Sequence, residues 1–293
     1  MDAPALHHQT PPVMATFDSF REWRHQREQS GVSSAVHFVP TMGALHQGHG
    51  ALIRTARAAA GEDGEVVVSV YVNPTQFNDA GDLAGYPRTR EADEALAQAA
   101  GADVVVFPKA EEMYPGGVPN RAAAVDFGPL TRLWEAAHRP GHFDGVVAVV
   151  RTLFLATRPE AAYFGEKDWQ QLAVIQTLVE REFPGLNVVP VPTVRQDDGL
   201  AMSSRNTRLS ESGRTHAVAL HQALKAIVDS KGHPEAVSMA RAELETSGFE
   251  VEYLAVVDAG TLSPDAVPGR PRRVIVAAHL DQVRLIDNMG LEP

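Results

Sequence analysis

The sequence predicts an α/β fold: a doubly wound parallel sheet with helices on both faces, followed by a second, smaller α+β domain. Three observations predict it. Short valine-rich runs alternate with helical patterns through the first two thirds of the chain, the order that a parallel sheet with crossover helices requires. After Pro190 and Pro192 the order changes, and helical patterns precede a block of strand-like runs. At 293 residues the chain is also near the size, roughly 250–300 residues, at which a single hydrophobic core stops growing.

Ser19 and Glu22 have capping-box spacing and open a helix expected to end near Gly31. Residues 35–39 and 65–72 read as buried strands around a helix over 49–60, a βαβ unit. The alternation continues with a helix over 89–100, a strand over 104–107, a helix over 145–157, a strand over 162–164, a helix over 169–183 and a strand over 187–191. Helices over 211–229 and 234–247 then precede strands over 250–257, 273–278 and 283–286. The expected domains are 1–193 and 194–293, with no internal repeat and no low-complexity segment.

Charge and cysteine usage exclude several classes. With 26 Lys and Arg against 37 Asp and Glu, the net charge of −11 repels a phosphate backbone, so no nucleic-acid partner is expected. The absence of cysteine excludes disulfides, thiolate metal sites and a cysteine nucleophile. Residues 1–12 lack the basic start and apolar run of a signal peptide, and no stretch has the length of a membrane span. The expectation is a cytoplasmic protein with no membrane partner.

Chemistry-bearing residues collect where strands give way to helices. Pro40 to His49, with Gly43 and Gly48, follows a strand and opens a helix, where free backbone N–H groups attract anions and glycines allow close approach. His46 and His49 are placed to donate to phosphate oxygens there, although two histidines in a turn would serve equally as caps and padding. Gly165-Glu166-Lys167-Asp168 repeats the arrangement, with Lys167 as a mobile cation and Asp168 for a ribose hydroxyl or a magnesium ion; an acidic helix start is the plain alternative. Ser203, Ser204 and Arg205, at the expected domain junction, offer short donors and a positive fork for a polyphosphate, or else form an ordinary polar linker. Asn73 and Gln76 in a proline turn present amides that bind hydroxyls or carboxylates without adding charge. Arg139 to Gly145 leads into a helix whose Val146, Val147 and Val150 suit either a pocket wall or the core.

Taken together, these segments resemble the pantothenate synthetase family over nearly the whole chain, through PTMGALHQGH, VNPTQF, YPRT, GHFDGV, FGEKDWQQL, VPTVR, DGLAMSSRN and RLIDN. The resemblance implies a Rossmann-like, nucleotidyltransferase-like fold and the ATP- and Mg2+-dependent condensation of (R)-pantoate with β-alanine to pantothenate, AMP and diphosphate, in a homodimer. It also implies roles. Met42, Gly43, Ala44, Leu45, His46, Gln47, Gly48 and His49 match the ATP-binding turn, and Gly165, Glu166, Lys167, Asp168, Val194, Met202, Ser203, Ser204 and Arg205 the remaining ATP contacts. Gln76 and Gln171 match the pantoate-holding glutamines, with Gln76 and Asn73 near β-alanine. His46, His49, Lys167, Ser203, Ser204 and Arg205 would carry the catalysis, and no protein metal ligands are assigned. Gln47 stands where the family usually has glutamate, Gly50 where it has leucine, and Trp169 where it has tyrosine, so altered stability or ATP affinity is expected more than lost chemistry. A related cytidylyltransferase would share the HxGH turn but not the NPTQF and GHFDGV walls. A tRNA synthetase relative would need a basic surface, and a non-catalytic nucleotide-binding module would have no use for the amide pocket.

Overall fold

In the computed structural model, which describes residues 13–30, 34–78, 80–120, 122–265, 267 and 269–291, six strands form a parallel sheet and three form an antiparallel one. The first part of the chain runs β1 (Val13–Met14), α1 (Phe17–Gln29), β2 (Val36–Thr41), α2 (Gln47–Ala60), β3 (Glu65–Val70), α3 (Ala80–Ala84), α4 (Arg90–Ala99) and β4 (Val104–Val106). It continues through α5 (Ala110–Met113), α6 (Glu135–His138), α7 (His142–Thr157), β5 (Ala161–Gly165), α8 (Trp169–Glu182) and β6 (Asn187–Val191). The last part is α9 (Glu211–His216), α10 (Val218–Asp229), α11 (Pro234–Thr246), β7 (Glu250–Asp258), β8 (Arg272–Leu280) and β9 (Val283–Leu291).

The valine runs are explained by burial on both faces. Along β4, Val104 and Val106 join the core beneath α7 while Val105 joins the core beneath α2, and β2 and β3 divide in the same period of two. The strand order is β1-β4-β3-β2-β5-β6, so the chain first winds outward from β2 through β3 and β4, then returns to place β5 on the other side of β2. The crevice at the carboxyl ends of β2 and β5 is therefore the topological switch point, where ligands of open α/β sheets bind.

The second sheet is covered on both sides. Ile275 and Ala277 of β8, with Tyr253 and Val257 of β7, enter the core of the parallel-sheet unit; Val274, Val276 and Ala278 face α10 and α11. Trp134 and Trp169 tie the two units further by donating their indole N–H groups to the carbonyls of Leu262 and Ala259, each at 2.8 Å. Trp169 thus uses its ring nitrogen as a strut, with Arg273 stacked 3.3 Å from its ring centre.

Several local expectations change. The cap of α1 is Thr16, whose hydroxyl accepts from Ser19 N at 3.0 Å, because Phe17 and Phe20 must both lie inside the core. Gly31 lies outside the described residues. The helix expected over 211–229 divides at Ala217 into α9 and α10. The two-residue β1 and the short α3, α5 and α6 have too few residues to show a period.

Candidate functional site

The turn after β2 is held from within. Gly43 has φ +84°, a conformation that favours glycine, and a Cβ there would lie 3.0 Å from both Asp93 and Val70. Asp93, buried on α4, accepts from Ala44 N at 3.1 Å and Leu45 N at 2.7 Å. A carboxylate of the protein therefore already occupies these two amides. His46 caps α2, its Nδ1 accepting from Gly48 N at 3.1 Å, while His46 N donates to His49 Nδ1 at 3.2 Å. The capping alternative is therefore true of both rings, and it has a chemical consequence. With each Nδ1 accepting, each neutral imidazole carries its proton on Nε2. Burial, His46 and Lys167 push the His49 pKa down to about 3, and burial followed by Lys167 lowers that of His46. Both rings are neutral Nε2–H donors at pH 7, 4.2 Å apart between centres.

The turn after β3 is a buried, charge-free wall. Asn73 donates to Gln76 Oε1 at 3.0 Å and to the Gly145 carbonyl at 3.1 Å, and its own oxygen accepts from Tyr114 at 2.6 Å. The Gln76 amide nitrogen reaches Met42 Sδ at 2.8 Å. Its backbone carbonyl accepts from His142 Nδ1 at 2.9 Å, leaving His142 Nε2 as an acceptor, and burial with the charge of Arg139 pushes that ring down to about 3. Gly145 permits this closeness: a Cβ there would stand 2.5 Å from the Thr75 carbonyl oxygen. Of the three valines expected on this helix, Val146 and Val150 line the cavity and Val147 is fully in the core.

The opposite wall follows β5 and the chain beyond β6. Asn288 of β9 donates to the carbonyls of Glu166 at 2.9 Å and Lys167 at 2.8 Å, so the second sheet positions the Lys167 turn. Lys167 Nζ lies 3.7 Å from Asp168. Ser203 Oγ accepts from Arg205 N at 3.2 Å, and Ser204 hydrogen-bonds the Tyr86 hydroxyl. Arg205 and Arg208 both pair with Asp82 of α3, at 3.0 and 2.6 Å, which holds that carboxyl below its usual range against the opposing effect of burial. Between the walls, burial alone would raise the pKa of Glu135, but hydrogen bonds and charge from Arg284, with Arg139 and Tyr253, pull it down to about 2.

These elements enclose a cavity of about 260 Å³ that opens into a cleft of about 670 Å³, sharing Arg139, Lys167, Asp168, Ser203 and Arg205. The first alone is smaller than a typical ligand pocket; the two together match one. Met42, His46, Gly48, His49, Asn73, Gln76, Gly165, Lys167, Asp168, Gln171, Val194, Met202, Ser203, Ser204 and Arg205 line the first. Gly43, Ala44, Leu45, Gln47 and Glu166 do not: the first three lie over Asp93, Gln47 is exposed on α2, and Glu166 is paired with Arg273 at 3.2 Å. Gly50 is buried, and a Cβ there would lie 3.0 Å from the Arg54 guanidinium, so a leucine would have to displace that side chain. Sequence reasoning missed Tyr71, Asp93, Glu135 and Asn288. Asn288 lies in the RLIDN run, whose Asp287 pairs with Arg195 at 2.6 Å; no local signal marks Asp93. Among the described residues no group of three or more His, Asp or Glu is arranged to hold a metal ion, and no helix is long and apolar enough to cross a membrane.

The family model for pantoate-beta-alanine ligase matches residues 12–290. The chain belongs to that family. It is 44% identical to the pantothenate synthetase of Paracoccus denitrificans, covering 99% of each chain, and 47% identical to that of Bdellovibrio bacteriovorus, covering 95% of this chain and 99% of the other. Among solved structures it is similar to the pantothenate synthetase of Thermus thermophilus, with a TM-score of 0.84, 45% identity and coverage of 96% and 99%. It is also similar to the pantoate-beta-alanine ligase of Francisella tularensis in complex with beta-gamma ATP and beta-alanine, with a TM-score of 0.79, 30% identity and coverage of 96% and 97%.

Proposed function

We propose that this chain joins (R)-pantoate to β-alanine with ATP, releasing AMP and diphosphate by way of pantoyl-adenylate. Family membership supports the reaction. The observation that carries it is the meeting, at the switch point of the parallel sheet, of neutral imidazole donors and basic side chains on one side with an uncharged amide wall on the other.

A pantoate carboxylate oxygen attacks the α-phosphorus, the bond from that phosphorus to the diphosphate oxygen breaks, and diphosphate leaves with the electron pair. The β-alanine amine then attacks the acyl carbon, AMP departs, and the nitrogen gives up a proton. His46 and His49 donate from Nε2 to phosphate oxygens as charge develops, and Lys167, Ser203, Ser204 and Arg205 complete the clamp. Neutral donors suit this task, since they stabilise the transferring group without first losing a counter-ion. Gln76 and Gln171 hold pantoate, and Asn73 aims Gln76. Val194 and Met202, joined by a backbone hydrogen bond at 2.9 Å, flank the nucleotide. No covalent enzyme intermediate is needed, and catalysis rests on positioning and charge stabilisation.

Of the carboxylates lining the first cavity, Glu135 and Asp287 are committed to arginines, so Asp168 is the one that would hold a magnesium ion brought with the nucleotide. That ion would neutralise phosphate charge. We also infer a domain boundary at 193/194, where the chain leaves β6 for the clamp, and a homodimer working in the cytoplasm, the last two on family likeness.

Purified protein should exchange labelled diphosphate into ATP when pantoate and magnesium are present and β-alanine is not. Exchange that appears only after β-alanine is added would remove the separate adenylate step.

A further inference from the structure

β9 carries two neighbouring polar residues, Asp287 and Asn288, that are 3% and 4% exposed and point to opposite sides of the second sheet. Asp287 shares the side of Val283, Leu285 and Leu291, packed with α10 and α11, and Asn288 shares that of Ile286, against the parallel-sheet unit. Each side meets a different phosphate-facing segment. Asn288 spends both hydrogens of its amide on the carbonyls of Glu166 and Lys167, and its oxygen accepts from Arg273, which also holds Glu166. Asp287 accepts two hydrogen bonds from Arg195, at 2.6 and 3.0 Å. Arg195 lies in a hairpin in which Gln196 N donates to Leu200 O and Met202 N to Val194 O, both at 2.9 Å, and its guanidinium also donates to the Gly199 carbonyl at 3.0 Å. That hairpin delivers Ser203, Ser204 and Arg205 to the cavity. The Asp287 carboxylate closes the link by accepting from the backbone N–H of Asn288 at 2.8 Å.

In the proposed reaction, the charge that develops as diphosphate departs must be met at once by Lys167 and by segment 203–205. The two arrive on separate turns, one just past β5 and one beyond β6. A misplacement of about 1 Å between groups that act together can lower a rate on the order of 10²-fold. The dipeptide ties both turns to one strand, itself paired with β8 along its whole length. We infer that Asp287 and Asn288, with Arg195, are positioning residues of the adenylation step: they hold Lys167 and segment 203–205 at one spacing, so that both meet the leaving diphosphate. They act through those groups and need not touch the nucleotide. This inference rests on the proposed reaction.

Asn288→Ala and Asp287→Asn are to be compared with wild type in two assays: diphosphate exchange with ATP, magnesium and pantoate, and the reaction of synthetic pantoyl-adenylate with β-alanine. Each variant should lose on the order of ten-fold in the kcat of exchange with the pantoate KM unmoved, and should use the adenylate at nearly the wild-type rate. Double variants test the route. Asn288→Ala should cost no more than about two-fold once Lys167 is replaced by alanine, and Asp287→Asn no more than about two-fold once Arg205 is. Losses that multiply in either double variant overturn the assignment while leaving the reaction standing. So does an equal loss in both assays, the mark of residues that only stabilise the fold. If a variant melts below the assay temperature, Asn288→Ser, whose hydroxyl cannot serve both carbonyls, or Arg195→Lys, which keeps the charge without the fork, takes its place and is read by the same criteria. Wild-type protein that exchanges no diphosphate with pantoate overturns the proposed reaction, and this assignment with it.

Discussion

Asn73 and Gln76 are 1% and 7% exposed and carry no charge, whereas across the same cavity Lys167 and Arg205 keep 19% and 28% of their side chains exposed and hold carboxylate partners. The first wall is pinned by hydrogen bonds within the protein and by a glycine contact that admits no side chain. Its geometry is fixed by the protein alone. The second wall is electrostatic, and in the proposed function Arg205 would exchange Asp82 for phosphate. The histidines stand between these extremes, since the same hydrogen bonds that cap α2 fix the tautomer in which each ring donates. One cavity can thus combine a rigid acid pocket with a clamp that swaps partners, because leaving a neutral buried group unpaired is strongly unfavourable and breaking an exposed ion pair is not.

Removing a donor should have the largest effect. His49→Ala is expected to lower kcat on the order of 10²–10³, about 2.7–4 kcal/mol, and also to cost roughly 1 kcal/mol of stability through the lost cap. His49→Gln separates the two, because glutamine at the third helical position can still accept from the His46 N–H. It should recover the melting temperature and not the rate; recovery of both would reduce His49 to a cap.

Next comes the rigid wall. Gly145→Ala forces its methyl group against the Thr75 carbonyl and should cost about 1–3 kcal/mol of stability, with a raised pantoate KM and an unchanged ATP KM. Normal melting and a normal pantoate KM in that variant would mean the wall yields, against the contrast drawn above.

Acid should loosen this wall at His142 and the α2 turn at His49. His49 and His142 have folded pKa values near 3 against 6.5 when unfolded, so the unfolded chain binds protons first as pH falls. Their contribution is fully present above about 6.5 and is lost progressively down to about 3. Urea unfolding between about pH 7 and about pH 4 should show that decline, and His142→Asn, which keeps a donor for the Gln76 carbonyl without the titration, should flatten it. A slope identical to wild type would remove His142 from the account.

The smallest effect concerns the exchangeable clamp. Asp82→Asn releases Arg205 and Arg208 from a partly exposed ion pair worth at most about 1 kcal/mol, so the ATP KM should fall by no more than about five-fold, and less at high salt. A raised ATP KM would show that Asp82 orients Arg205 and does not compete for it.

Much of this was legible along the chain. Valine runs and helical periods located every strand of the parallel sheet except the two-residue β1, and the joint wording of separate segments led to the family. What the chain did not show has a common form. Asp93, 49 and 48 residues away in sequence, takes the amides of Ala44 and Leu45. Glu166 is held by Arg273, 107 residues further on.

The sequence by itself determined which elements form, where turns interrupt them, and which residue types gather at strand ends, because burial period, capping and turn chemistry act over a few neighbouring positions. Only the tertiary structure decided which donors are already engaged, which tautomer each histidine holds, that Asn288 carries the Lys167 turn, and that the Tyr71 hydroxyl has no partner among the described residues. Those outcomes depend on hydrogen bonds and desolvation between groups far apart in the chain, and the energy of each is set by the partner that folding brings beside it.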